Sequence, residues 1–269
     1  MDYEFRELVT EDDFKQCIDL QKSLFNLSET EVISPLLLRL IARNNPPTGI
    51  SLGIFSHGMN GIELIGFMIG FATFIDRSIY GLMIGIRPDQ QNKGYGYKLF
   101  LKFREKAITM NLDCMYGIVD PLEANLAYLY FANLRFTGIK YEEETYVLSN
   151  VNRKIYIPID KLLIRWDFNK DIHLNQDGLL NNKEILNKYP LVNSVKDYNS
   201  DYLLYKIPYD FKNMQKENPE KALQLRLESR SILKYLINES NYHIISCLTD
   251  KKGEKTELFY LLQKMISPG

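Results

Sequence analysis

Residues 87–99 read RPDQQNKGYGYKL, between the apolar run IYGLMIGI (79–86) and a helical pattern carried on by Leu99, Phe103 and Ala107. Glycine loses more backbone freedom on folding than any other residue and is a poor helix former. Two glycines one residue apart, in a chain with only 15, therefore mark a backbone that has to stay bare. A strand, a short glycine turn and a helix N-terminus together make an anion site, because the first amides of the helix lack partners inside it and its dipole adds positive potential. Gly94 and Gly96 would let a phosphate approach where a Cβ would block it. A helix start that needs a positive φ, with nothing bound, explains the same pair, and the residues by themselves leave both readings open.

Spelling narrows the choice of motif. A dinucleotide fingerprint wants GxGxxG, and here Leu99 stands where the third glycine should be; a phosphate-binding Walker loop wants GxxxxGK followed by a hydroxyl residue, which neither glycine has. QxxGxG does fit, as Gln91, Gly94 and Gly96, directly after a strand that ends Ile86-Arg87-Pro88. About thirty residues on, NLAYLYFANLRF supplies an Asn- and Ala-containing helix that closes on Leu134-Arg135-Phe136.

On these residues the chain resembles the GNAT superfamily of acyl-CoA-dependent N-acyltransferases. It also resembles one branch of predicted GNAT acetyltransferases with a C-terminal extension, through Asp120-Pro121-Leu122 and the stretch DKLLIRW (160–166). The superfamily pattern covers residues 3 to about 149, and the branch pattern extends loosely over the whole chain. Two departures stand out. Arg135 replaces the glycine of the family's Leu-Gly-Phe, and the tyrosine that many GNAT enzymes use to protonate the leaving thiolate aligns on Phe131, with Tyr130 one position away. One residue is about 100° of helix rotation. Either Tyr130 is the acid in a shifted register, or the acid is dispensed with.

The resemblance implies direct transfer from acetyl-CoA, or another acyl-CoA, to the amine of a small molecule such as an amino acid. Backbone amides across Asn92, Lys93, Gly94, Tyr95, Gly96 and Tyr97 would hold the cofactor's pyrophosphate beside Gln91, with charge added by Lys93 or Lys98. Backbone at the end of the central strand, Ile84 and Ile86, would meet the acyl end and donate to the oxygen that becomes negative. Asp120 is a candidate base or ammonium ligand, and equally a helix cap; Tyr130 is a candidate acid, and equally a packing residue. Trp166 reads as packing, and Arg165 as a solvated strand arginine or a contact for an acidic acceptor. The contrasting function is a catalytically silent acyl-CoA-binding or sensing module that acts through a partner.

The bulk numbers exclude several classes. The chain has 269 residues, 45% of them hydrophobic, enough for two domains. Its 33 basic and 34 acidic side chains nearly cancel, so no global field points to nucleic acid or to an anionic membrane. Cys17, Cys114 and Cys247 are far apart, as are His57, His173 and His243, which suggests neither a disulfide framework nor a metal site. The N-terminus lacks the pattern of a signal peptide, and no apolar run approaches the roughly 18 residues of a membrane span. A cytoplasmic setting is expected, with a homodimer left open.

Along the chain the pattern predicts an α+β fold: a GNAT-like twisted, mostly antiparallel sheet flanked by helices over residues 1–150, and a second, smaller α+β domain over 151–269. A helix opens at Thr10, a second runs from Ser28 to Arg43, and two apolar runs around HGMNG form a hairpin. Asp120, Pro121 and Glu123 read as the cap and first turn of another helix. Residues 169–201 read as a polar excursion, Pro219 opens a long helix, and the chain closes on a hairpin around DKKGEK. No internal repeat is visible in the sequence. The C-terminal half could complete the acceptor pocket, build an interface, or form a degenerate half of a second GNAT-like unit.

Overall fold

The computed structural model describes residues 3–43, 45, 47–58, 61–144, 155–170, 182–252 and 255–266. Two compact units account for them: Met1–Gly117 with Asp167–Asn169, and Ile118–Trp166 with Lys170–Gly269. The expected boundary at 150 lies outside the described residues. The units part earlier, inside a strand, and the second is the larger of the two rather than the smaller, because residues 118–142 pack with the C-terminal half. Both are mixed α+β, with mostly antiparallel sheets.

In the first unit β1 (Tyr3–Glu7) pairs antiparallel with β2 (Gly49–Gly58), β2 with β3 (Gly61–Ala72) and β3 with β4 (Ser78–Ile86). The β2–β3 hairpin is the expected one. β5 (Cys114–Val119) joins β4 in parallel, but only over Ser78–Tyr80 against Cys114–Tyr116. Helices α1 (Glu11–Phe25) and α2 (Pro35–Arg43) cover one sheet face and bury Phe14, Cys17, Leu20, Leu38 and Ile41 against Phe55, Leu64, Phe67 and Ile69. Helix α3 (Tyr95–Thr109) packs with Leu99, Phe100, Phe103 and Ala107 inward. It comes so close that a Cβ on Gly70 would stand 2.8 Å from the Phe103 ring, which is why that strand position is glycine.

Helix α2 starts at Pro35, later than the Ser28 expected. Ser28 spends its capping chemistry on a single turn, with its N–H and Oγ both donating to Glu31 Oε2, at 2.8 and 2.7 Å. Pro35 then takes the first helical position, where its missing N–H costs nothing.

The second unit holds β6 (Thr137–Glu142), β7 (Lys161–Asp167), β8 (Tyr202–Ile207), β9 (Tyr242–Lys252) and β10 (Lys255–Lys264), in the order β7-β6-β9-β10-β8. Its helices are α4 (Ala124–Ala127), α5 (Asn182–Lys188), α6 (Phe211–Glu217) and α7 (Pro219–Lys234). Both α4 and α7 run on into a π turn, at Tyr128–Asn133 and Tyr235–Glu239. The terminal hairpin and the helix from Pro219 are as expected. The polar excursion is interrupted by α5, and its residues 171–181 lie outside the described residues. Among the described residues no helix is long and apolar enough to cross a membrane. Cys17, Cys114 and Cys247 are all buried free thiols.

Candidate functional site

The turn between β4 and α3 is built by its own sequence. Gln90 N–H donates to Arg87 O at 2.9 Å, and Gln91 Nε2 donates to Ile86 O at 2.9 Å, folding the turn back on the strand end. Asn92 (φ 60°) and Gly94 (φ 78°) are both left-handed, on either side of Lys93, an alternation that points successive amides to one side. No side chain caps α3: Gly94 is its N-cap, and the intrahelical ladder begins with Lys98 N–H on Gly94 O at 3.1 Å. The amides of Tyr95, Gly96 and Tyr97 are thus the unpartnered first turn of a 15-residue helix. A Cβ on Gly94 would meet nothing within 4 Å, so backbone conformation rather than crowding requires the glycine there.

Charge around this turn suits an anion. The one carboxylate in it, Asp89, is paired with Arg87, whose Nε donates to it at 2.7 Å, and Arg87 also reaches Glu63 at 3.1 Å. Lys93 Nζ donates to Gln90 Oε1 at 3.1 Å, and Lys98 is exposed one turn into α3. Tyr95 turns inward, its ring 4.8 Å from that of Tyr3.

The end of β4 supplies a second set of donors. Arg87 N–H bonds to Ile65 O at 2.8 Å, and the β3–β4 register runs unbroken from Gly66↔Ile86 to Ile69↔Met83. Along an antiparallel strand the polar groups alternate in direction, so Gly85 and Met83 face β3 while Ile84 and Ile86 face away. The acceptance of Gln91 by Ile86 O agrees with this. Because pairing with β5 stops at Tyr80, the Ile84 and Ile86 amides look onto an edge that β5 does not cover. Residues Ile84, Ile86 and Gln91–Tyr97 are therefore brought together in the first unit.

Asp120 and Tyr130 belong to the second unit. Asp120 was expected to cap a helix starting at Pro121, but α4 begins at Ala124. Its Oδ1 instead accepts the Leu122 amide at 2.9 Å, a local turn, and its Oδ2 accepts Arg226 Nη2 at 2.5 Å. Arg226 is fully buried, lies 4.8 Å above the Phe211 ring, and has no hydrogen-bond partner for Nε and Nη1 among the described residues. Burial works against its charge, but Asp120 outweighs burial and raises its pKa. The sequence offered a signal for Arg226: it sits on the buried stripe of α7 between Ala222 and Ser229, where a charge is out of place.

Tyr130 lies in the π turn, 7% exposed, with its ring edge-on to Phe136 at 5.0 Å. Burial, and then the charge of Glu123, push its hydroxyl well above the ordinary tyrosine range, so it stays protonated. Phe131 is fully buried, edge-on to Tyr260 at 5.4 Å. Trp166 stacks on Phe136 at 5.1 Å, as packing predicts. Among the described residues no group of three or more His, Cys, Asp or Glu is placed to hold a metal ion.

No protein-family model matches the chain, and no curated protein matches it in sequence. Solved structures do. The yncA protein of Salmonella typhimurium, described as an acetyltransferase and solved with its cofactor acetyl-CoA, is 14% identical with a TM-score of 0.50, over 66% of this chain and 100% of its own. NAA60 of Arabidopsis thaliana, solved in complex with acetyl-CoA, is 14% identical with a TM-score of 0.50, over 63% of this chain and 100% of its own. Likeness at this level of identity shows the fold, and the fold is that of the GNAT acetyltransferases.

Proposed function

We propose that this chain, built on the GNAT fold, is an acyl-CoA-dependent N-acetyltransferase that transfers the acyl group directly to the amine of a small molecule such as an amino acid. The observation that carries the reading is the uncapped N-terminus of α3, set directly behind a strand whose last amides are unpaired toward β5. Fold alone would not carry it, since one fold hosts many activities. The donors present fit a diphosphate: backbone N–H groups, a positive helix end, and no free carboxylate in the turn.

Acyl-CoA supplies an activated thioester. The amides of Tyr95, Gly96 and Tyr97 would hold the diphosphate, with Asn92 and Gly94 shaping the loop and Lys93 and Lys98 adding charge. The Ile86 amide, with that of Ile84 behind it, would donate to the carbonyl oxygen as negative charge grows there, a contribution of roughly 3 kcal/mol for one well-aimed donor. Tyr130 is the group proposed to protonate the departing thiolate. Its π turn takes up one extra residue, with Leu134 N–H bonding back to Leu129 O, which supports a register shifted by one in favour of Tyr130. Asp120 is proposed to orient the acceptor ammonium, its two oxygens held in place by Arg226 and the Leu122 amide.

That engagement of Asp120, with the burial of Tyr130, also favours the second reading, a silent acyl-CoA-binding module. One experiment separates them. Titration calorimetry with coenzyme A, followed by thiol release from acetyl-CoA in the presence of pooled small amines, is expected to show micromolar binding and turnover. Binding without turnover selects the silent module, and absence of binding removes both.

A further inference from the structure

Within the second unit, two helix-to-strand junctions match residue for residue at one constant offset. Leu134 N–H closes the first π turn on Leu129 O at 3.0 Å, and Ser240 N–H closes the second on Tyr235 O at 2.9 Å. The next residue is left-handed in both, Arg135 at φ 63° and Asn241 at φ 56°. A buried aromatic follows in both, Phe136 directly before β6 and Tyr242 at the first position of β9. Each strand then carries an extra residue against its hairpin partner: Ile139 is skipped between Gly138↔Ile164 and Lys140↔Leu163, and Ile245 between Ile244↔Leu262 and Ser246↔Leu261.

A π turn, a left-handed non-glycine and a one-residue bulge are separate irregularities, and none is demanded by the other two. Their sequences, LRFTGI and SNYHII, share only the final isoleucine. The strand before each helix also takes a parallel neighbour. For β5 it is β4; for β8 it is a single bridge at Leu191↔Leu204. No glycine turn or long helix lies between that bridge and β8.

The two junctions also meet each other. β6 and β9 pair antiparallel through Gly138↔Ile244, and these two residues are themselves matched positions. A residue paired with its own counterpart lies on a local twofold axis, the arrangement of an isologous dimer interface. Ile244 fills the space there, its Cβ standing 3.1 Å from where a Cβ on Gly138 would lie. Partly buried polar contacts fix the pairing: Arg230 to Asp160 at 2.7 Å, Asn238 Oδ1 and Nδ2 to the Tyr141 amide and carbonyl at 2.9 Å each, and Arg226 to Asp120.

We infer that the second unit holds one helix–hairpin module twice, and that the C-terminal module occupies, within the same chain, the edge of β6 along which a second copy of the chain would otherwise pair. The C-terminal half is thus a degenerate GNAT-like half that kept its pairing edge and lost its phosphate turn. The edge of β6 is closed by the chain itself, so no homodimer forms through it.

The test needs no acyl-CoA and no substitution. Isotopically light and heavy chains are mixed, unfolded together, refolded and treated with a water-soluble carbodiimide, which joins a lysine to a touching glutamate as the lost water passes to the reagent. Lys234 Nζ lies 2.5 Å from Glu143 Oε1, one on each module, and Lys206–Glu257, at 2.5 Å within the C-terminal module, is the internal control. The expected result is a Lys234–Glu143 peptide that is wholly light or wholly heavy. Peptides of mixed isotope, or absence of this link where Lys206–Glu257 forms, would overturn the inference.

Discussion

Helices α1 and α3 begin in opposite ways. α1 opens with a complete capping box: Asp13 N–H donates to Thr10 Oγ1 at 3.1 Å, and Thr10 N–H to Asp13 Oδ2 at 3.0 Å. α6 and α7 are capped too, by Asp210 on Asn213 N–H and Asn218 on Lys221 N–H. α3 alone among these four has no side chain on its first amides. A cap is worth about 1 kcal/mol, so leaving it out has a cost. What the bare start provides in return is a set of donors that no internal group competes for, and the difference separates a helix end closed by its own side chains from one whose amides stay available.

The largest expected effect falls on the open end. Gly96→Trp should weaken coenzyme A binding by more than 100-fold, about 2.7 kcal/mol, in calorimetry, while circular dichroism stays native. Gly94→Ala puts a Cβ into a left-handed residue and should cost about 1–2 kcal/mol in urea unfolding, with a fall in coenzyme affinity of at least tenfold. Asn218→Ala should cost about 1 kcal/mol and leave coenzyme affinity unchanged; an equal loss of affinity would erase the distinction between closed and open helix ends.

The smallest effect is in pH. Burial works to raise the Asp13 carboxyl, but hydrogen bonds from Arg6, Thr10 and Val9 outweigh it and hold it well below the ordinary carboxylate range. A lowered folded-state pKa stabilises in full above the unfolded value of about 3.9 and is lost as pH falls through the folded one. The first turn of α1 should therefore lose hydrogen-exchange protection on acidification below about pH 4, a step absent from Asp13→Asn. The uncapped start of α3 carries no such carboxylate and should not follow it.

How much of this was legible in the sequence depended on how local the cause was. The β2–β3 hairpin, α3 and the glycine turn that leads into it follow from neighbours within a few residues. The late start of α2 turns on a contest between Ser28 and Pro35 for the same role. α4 begins late because Asp120 is drawn to Arg226, far along the chain, and no local pattern announces that partner. The repeated module was invisible because its two copies agree in backbone irregularities and burial, not in residue types: Tyr130 and Phe131 are matched by Leu236 and Ile237.

The three sequestered thiols have a practical corollary. Burial pushes the Cys17 and Cys247 thiols up to about 12, so they are not thiolates at neutral pH and cannot attack a disulfide dye. A colorimetric assay for released coenzyme should then see no background from these two thiols in the folded chain. A slow, substrate-independent drift in colour would instead serve as a clock for unfolding.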